Sequence, residues 1–420
     1  MRLPSDLEVL RLRDFRLVYG AELASLIGDG VVPVALAFAV LDLTGSATDL
    51  GLVLACRAVA LLASLLAGGV VADRLGRRGV MIAADLTRLV GQGAIGLLLV
   101  TGDATVAELA VSQALLGAAT GFFVPASSGL LPAVAGPHLR KANALFGISG
   151  AASNIVGPAI AGVLVVVAGP GAALLIDAGS YAASAVLLAQ VGHVAAARTA
   201  TDGPRRFLSD LRDGFAEVRS RTWLWSGLLV FSLINLVAAA FQVLGPLVAK
   251  QHLGGPGAWA AILTARAIGA LLGGTALLRI SPRRPLLVGT LACAVTAVPT
   301  MLLAIPAPLT VLVVVTLAAG IGPMVFNTLW QTTVLQYVPE HFRSRVTSYD
   351  WFGSLALAPL GLALVGPLAS AIGIPAALFA CGATEWMLGA SLLLVRDVRT
   401  LPPGPEPPDA MTGAASASAT

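Results

Sequence analysis

Apolar runs of membrane-spanning length recur along the chain, broken by short stretches of Gly, Pro, Arg and Asp. They predict spans over 16–42, 48–72, 79–101, 105–126, 143–168, 172–192, 223–250, 257–279, 285–305, 308–331, 346–370 and 374–395. About 20 apolar residues in a helix, each rising about 1.5 Å, cross roughly 30 Å of hydrocarbon. Inside that layer every backbone polar group must bond within the protein, so each run reads as a transmembrane helix. The pattern therefore predicts an all-α membrane protein of twelve helices. The longest polar stretch, 193–222, divides them into an N-terminal bundle over 1–192 and a C-terminal bundle over 223–396. Within it, Phe207, Leu208, Leu211, Phe215 and Val218 share one helical face, with Asp210, Arg212, Asp213 and Arg219 elsewhere. That arrangement predicts an amphipathic helix on the membrane surface. The tail, 397–420, has the Pro, Ser and Ala bias of a disordered end.

Composition agrees with the pattern: 57% of the residues are hydrophobic and 11% charged, against about 25% charged in soluble domains. A soluble fold is excluded. The net charge of +4 raises the question of nucleic acid, but the cations follow the loops and form no recognition patch. They cluster before the first span, around Arg74–Arg78, at Arg140 and Lys141, through the linker, at Arg279–Arg284, at Arg343 and Arg345, and after the last span. Of the 26 Lys and Arg, only Arg57, Arg88, Arg266 and Lys250 fall elsewhere. Positive loops stay in the cytoplasm, so both termini are expected there. Cys56, Cys293 and Cys381 each sit alone in an apolar run, and His138, His193, His252 and His341 fall in loops or at helix ends with no HExxH pairing. No metal or cofactor is predicted. The absence of a Walker loop argues against an ATPase, and the scattered polar groups argue against a membrane-embedded enzyme.

The loop between the second and third spans reads Gly69-Val-Val-Ala-Asp73-Arg74-Leu-Gly76-Arg77-Arg78. Gly69 would permit close helix approach, Asp73 at the membrane boundary requires a cationic or helix-terminus partner, and Gly76 allows a tight turn. This loop resembles the signature of the major facilitator superfamily, in which it latches the two halves in one access state. The resemblance implies two pseudo-symmetric six-helix bundles built from parallel repeats. In keeping with it, Gly68-Gly69 leads into Arg77-Arg78 much as Gly273-Gly274 leads into Arg283-Arg284. In the fifth span, Gly157-Pro158-Ala-Ile-Ala161-Gly162 resembles the glycine-proline motif of the exporters. Gly28-Asp29, the stretch Leu175-Ile176-Asp177-Ala178-Gly179-Ser180-Tyr181 and the Asp210–Gly214 linker are similar to the branch of bacterial siderophore and macrolide exporters. The drug/proton antiporter branches carry an arginine four residues before a glycine in the fourth helix. Here Gln113 holds that place before Gly117.

Ionisable groups inside the bilayer are costly and mark function by default. The sequence offers Glu22 and Asp29 in the first span, Arg57 in the second, Asp85 and Arg88 in the third, Asp177 in the sixth, Arg266 in the eighth and Glu385 in the twelfth. Counting about 1.5 Å per residue, Asp29 lies roughly 20 Å from the inner boundary near Arg16 and Arg57 roughly 24 Å from Asp73. The two are predicted to pair near mid-membrane, either as a proton-coupling or substrate-facing site or as a permanent ion pair holding the N-terminal half together. Asp85 and Arg88, three residues apart, are predicted to form a local pair. In the superfamily the first, fourth, seventh and tenth helices line the central path. The resemblance thus implicates Asp29, Gln113, Asn235, Gln242, Asn327, Trp330 and Gln331 in the substrate cavity.

Together these features predict a secondary transporter that exports a small amphipathic, siderophore- or antibiotic-like molecule in exchange for protons. A proton-coupled importer and a transport-inactive sensor stay open as alternatives. The partners expected are the substrate, protons and the lipid bilayer, with no nucleic acid and the chain a monomer. Lysine occurs only at Lys141 and Lys250 among many arginines, as in GC-rich bacteria, and a bacterial plasma membrane is the expected location.

Overall fold

A computed structural model of the protein describes residues 5–192 and 215–404. Ten helical stretches among them are long and apolar enough to cross a membrane, and one, Val106–Ala189, runs 84 residues. That length is several bilayers deep. Backbone breaks at Gly136 (φ 50) and Gly169 (φ 82) divide it into three crossings, and counted so the spans are twelve. They are α1 Arg13–Thr44, α2 Ala47–Leu75, α3 Arg77–Thr101, α4 Val106–Ala135, α5 139–168 and α6 170–189. The second set is α7 Thr222–Val248, α8 Pro256–Leu277, α9 Pro285–Leu302, α10 Leu309–Tyr337, α11 Arg345–Ile372 and α12 Ile374–Leu394.

Local chemistry sets the ends. Ser46 accepts a hydrogen bond from the Asp49 amide at the start of α2, and Thr105 and Glu108 form a reciprocal capping box on α4. Most of the predicted amphipathic linker helix lies outside the described residues; 215–220, at its end, are helical. Arg396–Thr400 forms a short helix, while the Pro402 carbonyl accepts from the Tyr337 hydroxyl and the Gly404 amide donates to Gln336. The first residues of the expected disordered tail are therefore ordered, and 405–420 lie outside the described residues. Trp223, expected with Trp225 to anchor α7 at the interface, is instead buried against Trp330; only Trp225 is exposed.

The buried side chains fall into three clusters, and their placement defines the conformation. One spans both halves. It joins Val31–Leu41 of α1 and Leu50–Ala55 of α2 to Ala239–Ala249 of α7, Trp259–Ile262 of α8 and Leu362–Ala369 of α11. All of these lie toward the face opposite the basic loops. The other two clusters lie toward the loop-bearing face, and each is private to one half: Val9 to Val191 in the first, Val218 to Val398 in the second. Close backbone approach joins the halves on the far face, where a Cβ on Gly162 of α5 would sit 2.6 Å from Ala260 Cβ of α8. The protein is thus closed on the far face and parted toward the basic loops.

An ion pair ties the closed face. Lys250 Nζ, at the far end of α7, donates to Asp42 Oδ1 at 2.6 Å and to the Leu41 carbonyl at 2.6 Å, both at the far end of α1. The pair is substantially exposed, so its net worth is small, about 0.2–1 kcal/mol. A two-state equilibrium still responds: Lys250→Ala is expected to raise the population open on this face by up to about fivefold. Distances between spin labels on the far ends of α1 and α7 read that population directly.

Candidate functional site

The N-terminal half carries a polar network centred on residues well inside its helices, Asp29 near the middle of α1 and Gln92 near the middle of α3. Arg57 Nη2 of α2 lies 3.8 Å from Asp29 Oδ1 of α1, and both side chains are partly exposed, at 27% and 34%. Tyr181 of α6 donates to the same Asp29 oxygen at 2.8 Å, and Ser25 donates to the other at 3.3 Å. Arg57 also donates to Gln113 Oε1 at 3.4 Å, Gln113 to Gln92 at 3.4 Å, and Gln92 to Asp177 Oδ2 at 2.8 Å. Gln113, Gln92 and Asp177 are fully buried. A continuous chain of polar side chains therefore runs from an accessible acid–base pair to a sealed carboxylate. Gln113, implicated in the substrate cavity by the resemblance, stands behind Arg57 and links it to that carboxylate.

Glycine makes this assembly possible. Gly28 presses against Asp177 and Ser180, where a Cβ would overlap both side chains. The two stretches Gly28-Asp29 and Leu175–Tyr181, far apart in sequence, are thus one structural unit. A Cβ on Gly157 would lie 2.5 Å from Gly30 Cα, so α1 and α5 touch backbone to backbone beside Asp29. Pro158 is buried within the unbroken run of α5. Asp85 and Arg88 form the predicted local pair at 3.4 Å. Ser184 also donates to Asp85 at 2.6 Å, and Arg88 lies 4.4 Å over the Phe123 ring, so three helices enclose the pair. Glu22 accepts from Ser127 of α4 at 3.3 Å.

The C-terminal half repeats the scheme with changes. Gly117 of α4 packs on the Arg57 carbonyl, and Gly320 of α10 packs in the same way on the Arg266 carbonyl of α8. Ser153 of α5 donates to the Leu26 carbonyl of α1, while Asn235 of α7 donates to the Ser354 carbonyl of α11 at 3.1 Å. Arg266 is thus the counterpart of Arg57 and Asn235 occupies the level of Asp29, while Glu385 of α12 stands as far past the Gly373 break as Tyr181 of α6 stands past Gly169. Among the described residues Arg266 forms no ion pair; it lies 5.3 Å over the Phe241 ring. Asn235, Arg266 and Glu385 line a cavity of about 400 Å³ inside this half.

Other implicated residues are placed differently from expectation. Trp330 does not face the central path: it is 3% exposed and fills the space beside Gly227 against Trp223, Phe231 and Phe326. Its indole donates to Asp350 Oδ1 at 3.0 Å and Gln331 donates to Asp350 Oδ2 at 3.1 Å. Asp350, buried in α11, was missed by sequence reasoning, as were Gln92 and Ser184; the signal for Asp350 was its place inside the predicted 346–370 span. Gln242 and Asn327 are exposed.

In the signature loop, Gly76 adopts φ 90, a conformation that favours glycine. Asp73 pairs with Arg77 at 3.1 Å. Arg77 donates to the Gly129 carbonyl of α4, and Arg78 donates to the carbonyls of Leu188, at 2.9 Å, and Ala189 at the end of α6. Arg74 is exposed. These bonds stay within the N-terminal half, as the parted arrangement of this face requires. Gly69 does not mediate a close approach here, since a Cβ on it meets nothing within 4 Å; Gly68, one position round the helix, packs on Gly121.

Two six-helix bundles that meet on one face and part on the other, with charge at their centre, are the architecture of a membrane transporter and not of an enzyme. The chain belongs to the major facilitator superfamily, whose family model matches residues 18–354. It is 29% identical over 405 residues to the multidrug efflux pump Tap of Mycolicibacterium fortuitum, covering 92% of this chain and 96% of that one. It is 31% identical over 389 residues to Tap of Mycobacterium tuberculosis (strain ATCC 25618 / H37Rv), covering 87% and 89%. Among solved structures, the nucleoside transporter NupG aligns with a TM-score of 0.73 at 13% identity, over 91% of this chain and 98% of that one. A bacterial homologue of the human lysosomal transporter Spinster aligns with a TM-score of 0.71 at 14% identity, over 92% and 97%. These structures share the fold.

Proposed function

We propose that the protein exports drug-like amphipathic molecules across a bacterial plasma membrane in exchange for protons, as a monomer with both termini in the cytoplasm. The observation that carries this reading is the Asp29–Arg57 pair: long at 3.8 Å, partly exposed, and at mid-membrane depth within the half that parts toward the basic loops. A pair of this kind is made in one protonation state of Asp29 and unmade in the other. Proton binding therefore biases the equilibrium between the two access states, which is what coupling requires. Substrate entering from the cytoplasm displaces the proton, and the reverse exchange occurs on the far side. The names of the two mycobacterial relatives favour drug-like compounds over siderophores, and the exporter-like Gly157-Pro158 motif favours outward transport.

The test is accumulation in cells expressing the chain, across a panel of hydrophobic antibiotics and siderophores. Lower accumulation of one or more antibiotics supports the reading; raised accumulation supports import, and equal accumulation of every compound supports a transport-inactive sensor. The signature loop supplies a second test. In the described state the exposed Asp73–Arg77 pair contributes little, about 0.3–0.5 kcal/mol. Asp73→Asn is therefore expected to leave the melting temperature nearly unchanged while slowing export severalfold, because the loop acts in the opposite access state.

A further inference from the structure

We propose that the cavity of the C-terminal half binds an aromatic molecule bearing an anionic oxygen, with Arg266 as its counter-ion. The N-terminal half sets one arginine, Arg57, against two carboxylates, Asp29 and Asp177. The C-terminal half repeats the arginine as Arg266, but Asn235 stands in place of Asp29, Cys381 in place of Asp177, and the half's carboxylate, Glu385, lies at the level of Tyr181. At these positions the repeat has one carboxylate fewer than the N-terminal half, and Arg266, which shares the cavity with Glu385, forms no ion pair with it among the described residues and lies instead over the Phe241 ring.

The space for a ligand has a physical cause. Helix α3 fills its bundle with Asp85, Arg88 and Gln92, whereas α9 carries Gly289, Ala292, Cys293 and Ala294 and breaks into a 3-10 turn at Cys293–Val295. Small side chains leave the cavity of about 400 Å³, room for a fused aromatic system. Its walls include the rings of Phe326 and Trp386. Thr290 lines it too; only 4% exposed, its Oγ1 has no hydrogen-bond partner. Buried hydroxyls are seldom left unpaired, and this one is available to a ligand oxygen in the cavity that Arg266 also lines. Arginine matches a carboxylate with two parallel hydrogen bonds, so an aromatic carboxylate meets the site's charge and shape.

This inference deepens the drug-export reading by naming the class of molecule one subsite takes, and it rests on that reading only for the ligand's passage across the membrane. The test is equilibrium dialysis of the purified full-length protein in detergent with radiolabelled 1-naphthoate, alongside its neutral analogue 1-naphthamide and the cationic 1-naphthylmethylamine. The expected order is carboxylate tightest. Arg266→Gln weakens naphthoate binding about tenfold or more, Arg266→Lys retains binding, and Thr290→Val, nearly isosteric, weakens it about threefold. The proposal is overturned if the wild type binds no naphthoate, if Arg266→Gln and Thr290→Val both leave binding unchanged, or if the amine binds best and Glu385→Gln removes that preference. Because binding is read without a gradient, an exporter that binds no naphthoate sinks this inference alone. A protein that binds naphthoate yet moves no drug sinks the export reading alone.

Discussion

Asp29→Asn is expected to abolish gradient-driven export while leaving the protein folded. Asparagine keeps the shape and one oxygen, so it still accepts the Tyr181 hydroxyl, and the helix crossing at Gly28 is untouched. What it loses is the negative charge 3.8 Å from Arg57. In the described state the cation then keeps only its hydrogen bond to Gln113, at 3.4 Å. With no carboxylate to gain and lose a proton beside Arg57, the pair no longer reports the proton gradient. Export against a concentration gradient falls to the level of vesicles lacking the protein, whereas passive exchange of labelled for unlabelled drug continues. Were Asp29 and Arg57 only a permanent brace, the result would differ. Asp29→Asn would then lower the melting temperature and slow both modes of transport alike.

Gly157→Val is expected to cost about 3 kcal/mol or more of stability. A Cβ at this position lies 2.5 Å from Gly30 Cα and 2.6 Å from the Gly30 carbonyl carbon, so the obstruction is backbone on both sides and no side chain can yield. The neighbouring bond from Ser153 to the Leu26 carbonyl holds α1 and α5 at this spacing, so relief of the clash breaks it too. Gly30 follows Asp29 in the chain, and separating the helices displaces the coupling pair with them. A thermal melt in detergent reads the loss, with Gly147→Ala as a comparison. That glycine is also on α5 but faces open space, and alanine there is expected to be neutral or stabilising by up to about 1 kcal/mol.

The spans were legible because hydrocarbon thickness converts directly into run length, and the observed helices start and stop within a few residues of the apolar runs, α4 and α10 apart, which run on past the ends of theirs. The Asp29–Arg57 pairing was legible for a similar reason: a fixed rise per residue turns sequence distance into depth. What depth does not encode is azimuth. Gly69 was chosen as the contact glycine because of its place in the signature, but the neighbouring Gly68 faces α4 in this state. Trp330 was assigned to the central path because its helix lines that path, yet its side chain points into its own half, where Gly227 leaves room for an indole. Asp350 was overlooked beside the cluster of charges before α11, although its partners Trp330 and Gln331 had themselves been singled out. The duplicated charge scheme was hidden for another reason. Asn235 breaks the identity of the repeat, so Arg57 and Arg266 are recognisable as counterparts only from Gly117 and Gly320 packing on their carbonyls.

The most direct test of proton-coupled export uses proteoliposomes in which the face bearing the basic loops points outward, with a drug identified from the accumulation panel and an imposed gradient, acidic inside. The prediction is accumulation of drug inside the vesicles as protons leave, collapse of that accumulation by an uncoupler, and none with Asp29→Asn. Accumulation driven by protons moving inward with the drug, or accumulation unaffected by either the gradient or the Asp29 substitution, would contradict it.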